Sequence, residues 1–70
     1  MARTKSLSRA LRQARETRGL SVAELADRLG VSAMSIYNWE NGRSRPRAAN
    51  LTALCKAVRI PRAVAEAMGA

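Results

Sequence analysis

Seventy residues allow a single domain with a small core. One cysteine and no histidine exclude a stapling disulfide, a zinc finger and any other His/Cys metal cluster. Eleven of the thirteen basic side chains are Arg, against five acids, and the net charge of +8 calls for a polyanionic partner, nucleic acid ahead of an anionic membrane surface.

Residues 1–6 are polar and basic with nothing to bury, and read as a loose N-terminal arm. The stretch MARTKSLSRALRQAR lacks an apolar segment and does not read as a secretory signal. A first helix is expected over 7–18, starting at Leu7 or Ser8, with Ser6 or Ser8 as its cap and Leu7, Leu11 and Ala14 as its buried stripe. Gly19 stops it. A second helix is expected over 22–29: Ser21 caps it, Glu24 completes a capping box, Leu25, Ala26 and Leu29 share one face, and Gly30 ends it. A third is expected over 33–41, capped by Ser32, with Ile36 and Trp39 inward and Glu40 adjoining them. Ala33, Met34, Tyr37 and Asn38 then point outward. A basic loop follows, carrying Arg43 and Arg45, with Arg47 just past Pro46. Leu51, Leu54, Cys55 and Val58 mark an amphipathic fourth helix over 48–58. Cys55 belongs to that stripe as a small core hydrophobe, and a lone thiol fits a reducing intracellular setting. Pro61 opens a fifth helix over 61–68, with Ile60, Val64 and Met68 at helical spacing. No segment alternates like a strand and no apolar run is long enough to span a membrane. The chain reads as an all-α domain over 7–70.

The segment Ser21–Gly42 meets the requirements of a helix–turn–helix. Two closely crossing helices need a small residue between them, and Ala26 supplies it. The tight turn needs a positive φ, and Gly30 supplies it. Leu25, Leu29, Val31, Ile36 and Trp39 tie the pair to a core. The outward face of the second helix must fit a major groove about 12 Å wide, and Ala33, Met34, Ser35 and Asn38 are short or slender enough. An ordinary helical hairpin needs none of these features together.

On these residues the segment Leu11 to Ile60 resembles the Cro/C1-type (XRE) helix–turn–helix regulators of phages and bacteria. The likeness lies in LRQARETRGLSVAELADRLGVS, SIYNWENG and RPRAANLTALCKAV. It implies a five-helix, lambda-repressor-like domain that binds operator DNA, usually as a homodimer on inverted repeats. The places of Ala33, Met34, Tyr37 and Asn38 would read or adjoin base edges. Asn38 suits a bidentate contact to adenine, and Ala33 and Met34 suit thymine methyls. Tyr37 donates to a phosphate or a base, or packs on the helix flank. Phosphate contacts would fall to Ser32, Ser35, Asn41, Arg43, Arg45 and Arg47, aided by helix N-termini. Arg15 and Glu40 match a structural ion pair. Many members carry Gln at the place of Val22, where it contacts phosphate and braces the reading helix; Val22 does neither. Direct readout is therefore sparse, and shape, the arginine loop or arm contacts from Arg3 and Lys5 would add to it. A tail drawn generally to phosphate is the plainer role for that arm. Ile60, Val64 and Met68 would form a dimer interface or pack within the monomer.

No paired carboxylates, base-activated nucleophile or Gly-rich phosphate loop supports an enzyme, and neither a cofactor nor a small-molecule ligand is expected. The leading reading is a small DNA-binding repressor or autoregulator, cytoplasmic and nucleoid-associated, from a bacterium or phage. The alternative is an antitoxin-like module that neutralises a partner protein and binds DNA secondarily. A membrane-surface peptide would need one long amphipathic helix, which Gly19, Gly30, Gly42 and Pro61 interrupt.

Overall fold

A computed structural model describes residues 3–68, with side chains from Leu7 to Met68. Five helices follow one another: α1 (Arg3–Thr17), α2 (Val22–Leu29), α3 (Ala33–Glu40), α4 (Ala48–Val58) and α5 (Arg62–Ala67). No strand occurs among the described residues. The helices enclose one core of Leu7 and Leu11 from α1, Leu20 from the first turn, Leu25 and Ala26 from α2, Ile36 and Trp39 from α3, Leu51, Leu54, Cys55 and Val58 from α4, and Ala65 of α5. The molecule measures 30 × 22 × 22 Å.

The ends of α2 are set by local chemistry. Ser21 Oγ accepts the Glu24 N–H at 3.0 Å, and the Ser21 N–H donates to Glu24 Oε1 at 2.8 Å. This reciprocal box satisfies two backbone donors at the helix start. Gly30 closes the helix at φ 69, and its N–H donates to Ala26 and Asp27 carbonyls. Only two residues then separate that turn from α3, so α2 and α3 pack closely against each other. Ala26, only 4% exposed, is the small residue that permits this approach.

The helix boundaries depart from expectation at the two ends of the chain. Helix α1 begins at Arg3 rather than at Leu7 or Ser8. No Gly or Pro stands between Arg3 and Leu7 to stop it, so the backbone of 3–6 is helical where a loose arm was expected. Ser8 is consequently not a cap; it lies buried inside α1. The remaining arm residues, Met1 and Ala2, and the side chains of Arg3 and Lys5 lie outside the described residues. Helix α1 ends at Thr17 and α3 at Glu40, one residue short of expectation, with Asn41 as the α3 C-cap. Helix α5 is shortened at both ends: Pro61 stands at the N-cap with an extended ψ of 138, and Met68 is the C-cap.

Candidate nucleic-acid interface

Helix α3 presents a mixed face. Met34 is 63% and Tyr37 50% exposed, and Asn38 is half-buried beside them. Ala33 does not stand outward as expected; it is half-buried and packs against the core. The short connection from Gly30 holds the first turn of α3 against the rest of the domain, so its first residue turns partly inward. The accessible part of this face is therefore narrower than the helical wheel implied, resting on Met34 and Tyr37 with the half-buried Asn38.

The start of α3 is capped by a serine and leaves backbone donors free. Ser32 Oγ accepts the Ser35 N–H at 3.2 Å, and the two hydroxyls share a 3.1 Å hydrogen bond. The N–H groups of Ala33 and Met34 precede the first intrahelical acceptors and remain available. With the positive end of the helix dipole, such groups are chemically able to donate to an anionic oxygen. Ser32 is exposed and Ser35 half-buried.

The far end of α3 delivers the basic loop. Asn38 carbonyl accepts the Arg43 N–H at 2.8 Å, and Trp39 carbonyl accepts the Gly42 N–H at 3.3 Å. These bonds fold the loop back onto the helix, so Arg43 leaves from beside Asn38. Gly42 has φ 73, and a Cβ there would stand 3.3 Å from Ser8 Oγ. Glycine thus serves both the backbone sign and the close crossing of α1. Arg43, Arg45 and Arg47 are exposed, and none takes part in an ion pair among the described residues. Arg47 is the α4 N-cap, yet its side chain makes no cap bond. Asn41 is exposed as well.

Glu40 is the one acid on α3, and its charge is withdrawn from the surface. Arg15 Nε donates to Glu40 Oε2 at 2.7 Å and Arg15 Nη2 to Oε1 at 3.2 Å. The Arg15 and Glu40 side chains are only 11% and 6% exposed. A third guanidinium bond, Nη1 to the Leu20 carbonyl at 2.8 Å, ties the α1–α2 turn into the same brace. The hydrogen bond to Glu40 raises the Arg15 pKa first of all, burial opposes it, and the Glu40 charge adds to the rise. No buried side-chain polar atom among the described residues lacks a partner.

Some contributors were not assigned a place from the sequence. Leu20 carbonyl as an acceptor for Arg15 has no sequence signal, because it depends on the turn geometry. Val22, considered only for what it fails to contact, is half-buried and packs against the core. Ser8, Arg9, Arg12, Glu40 and Asn41 surround a shallow cavity of about 280 Å³ between α1 and the end of α3. Far from α3, Ile60 and Met68 are half-buried against the molecule's own core, whereas Val64 is 41% exposed. With Ala10, Ala14 and Pro61 they line an apolar groove of about 380 Å³ between α1 and α5. No described helix is long and apolar enough to cross a membrane.

A family model described as a helix-turn-helix domain matches residues 6–68 of this chain. Comparison with curated proteins finds no match.

Proposed function

Because the chain belongs to the helix-turn-helix domain family, that of XRE-type, Cro/C1-like DNA-binding regulators, we propose that it binds duplex DNA sequence-specifically, as a small homodimeric repressor or autoregulator on an inverted-repeat operator. Helix α3 enters the major groove. Asn38 makes the hydrogen-bonded base contact, Met34 meets thymine methyls, and Tyr37 reaches a base or a phosphate. Ala33, being half-buried, contributes only close approach of the backbone. Ser32, Ser35 and Asn41 hold phosphate at the two ends of α3, and Arg43, Arg45 and Arg47 hold the flanking strand.

The single observation that supports this reading best is the uncompensated arginine loop hydrogen-bonded to the end of α3. Positioning charge and reading face come from one rigid piece of backbone. Phosphate neutralisation supplies most of the affinity, and the few side chains on α3 supply discrimination. Two subunits double the few base pairs that one short helix reads and set half-sites about one helical turn apart. The exposed Val64 and its neighbours Ile60 and Met68 offer apolar surface for that second copy.

In vitro selection of bound duplexes at roughly 150 mM salt tests the proposal. Enrichment of a two-fold symmetric sequence with fixed half-site spacing is the expected result. Selection that enriches nothing over random duplex would remove sequence-specific binding, and a single unrepeated half-site would remove the dimer.

A further inference from the structure

Three helix ends meet at a place that neither α3 nor the arginine loop reaches. Arg18 follows α1, Leu20 lies in the α1–α2 turn, Arg28 is in the last turn of α2, and Lys56 and Arg59 stand at the end of α4. With Ala57 they line a cavity of about 280 Å³. Its basic side chains, Arg18, Arg28, Lys56 and Arg59, are all exposed. None of the four makes a side-chain hydrogen bond or ion pair with a described residue. No acid lines the cavity. Glu16 pairs with Arg12, Glu40 with Arg15 and Glu66 with Arg62; Glu24 is held by the Ser21 N–H and lies within electrostatic reach of Arg28, and Asp27, beside Arg28 in the chain, makes no ion pair with a described residue.

The walls are fixed. Leu20 is buried, its carbonyl accepts from Arg15 Nη1 at 2.8 Å, and its N–H donates to the Arg15 carbonyl at 3.1 Å. Arg59 occupies the left-handed region at φ 61, the only described non-glycine to do so, and its N–H donates to the Cys55 carbonyl. A basic residue at a helix C-terminus is favoured by the macrodipole, which accounts for each cation singly. It does not account for four of them around one concavity with no acid in its lining, where they repel one another.

We propose that this cavity is an oxyanion site for a phosphate-bearing ligand of diphosphate size, separate from the surface that α3 offers to DNA. The three guanidinium groups, one from each helix end, suit phosphate oxygens, and Lys56 adds a point charge. The volume lies just below the about 300–1,000 Å³ of typical small-molecule sites, which suits a phosphate or diphosphate group rather than a whole nucleotide. The phosphate comes either from a small phosphorylated molecule or from the backbone of a second duplex.

The test is an amide chemical-shift titration of the whole chain with inorganic pyrophosphate, the ionic strength held constant with sodium chloride. Saturable shifts confined to Arg18, Leu20, Arg28, Ala57 and Arg59 are expected. The R28Q/K56Q double variant, changed only at exposed side chains, should stay folded by circular dichroism and bind pyrophosphate at least about tenfold more weakly. Shifts that never saturate, that spread equally over Arg43, Arg45 and Arg47, and that persist in the double variant would overturn the site. A parallel arm adds a short duplex. Saturation of the same amides at a second duplex per chain, competed by pyrophosphate, assigns the phosphate to DNA backbone; pyrophosphate saturation without any duplex effect there assigns it to a small molecule. Binding at α3 is read separately at the Met34 and Asn38 amides, so the two proposals fail independently.

Discussion

On the proposed interface, the fate of the Glu40 charge decides how closely α3 approaches a phosphate backbone. An unpaired carboxylate at that end of the helix would repel the strand that Arg43 is proposed to hold. Arg15 covers it with two hydrogen bonds and leaves both side chains almost wholly buried. Truncating either partner leaves the other charge poorly solvated, so R15A and E40A should each lose about 3–5 kcal/mol in urea unfolding. That approaches the whole stability of a chain this small. The R15M/E40L double variant removes both charges at similar volume and should recover most of the loss; a double variant as unstable as the singles would show that the brace at Leu20, not the charge pair, holds the turn. On the proposed interface, Arg43→Ala should weaken binding to all duplexes alike and reduce the slope of log K against log salt by about 0.9. Asn38→Ala should instead relax preference at one base pair per half-site while leaving that slope unchanged, as measured by repeated duplex selection. An altered slope for Asn38→Ala, or an unaltered one for Arg43→Ala, would exchange their assigned roles.

Among the elements, α2 and α4 run where their patterns place them because their signals are local. The Ser21–Glu24 box and Gly30 bound α2, and Pro46 with the Leu51–Val58 stripe bounds α4. Helix α1 overran its expected start because the sequence upstream of Leu7 lacks burial but also lacks a breaker, and helix propagates through such residues once nucleated. The fixed φ of Pro61 suits a first helical residue, but its extended ψ leaves it at the N-cap. Ala33 shows the limit of the helical wheel: its angular position faces outward, while the two-residue turn before it draws it back onto the core. The α2 box has a pH signature. The Ser21 N–H and hydroxyl hold the Glu24 carboxyl below its ordinary value of 4.5. A depressed carboxylate contributes stability that is present above the unfolded pKa and lost as pH falls through the folded one. Amide exchange at Glu24 and Leu25 should therefore accelerate, relative to α4, only below about pH 4.5, after correction for the intrinsic exchange rate. E24Q should abolish that acid-specific step, and a step that survives in E24Q would place its origin at another carboxyl.

Across the whole molecule, apolar burial is uneven, and the unevenness sets which part opens first. Helix α4 contributes Leu51, Leu54, Cys55 and Val58 to the core, whereas α5 contributes one fully buried residue, Ala65. A six-residue helix has little intrinsic stability, and a single alanine anchors it weakly. The groove and the cavities around α5 follow from how several helix ends meet, which no periodicity along the chain encodes; this is why the basic cavity beside Leu20 was invisible in the sequence while each of its arginines was plain. Cys55 reports on the opening of this region. It is 6% exposed and borders a cavity of about 470 Å³ shared with Ile60, Pro61 and Arg62 at the start of α5. Burial first of all pushes its thiol above the ordinary value of 9.0. The folded state thus keeps the proton longer than the unfolded chain does, and stability should fall as pH rises past that value. At a fixed pH, which sets the thiolate fraction, labelling of this 6% exposed thiol should be limited by movement of α5, whose start borders the cavity. Undocking of α5 alone should cost less than global unfolding, so Cys55 should react faster than the denaturant-derived unfolding constant allows. Leu25→Ala, which removes about 2–5 kcal/mol from the opposite part of the core, should leave the native labelling rate nearly unchanged. A labelling rate that rises in step with the Leu25→Ala destabilisation would mean that α5 leaves only when the entire core does.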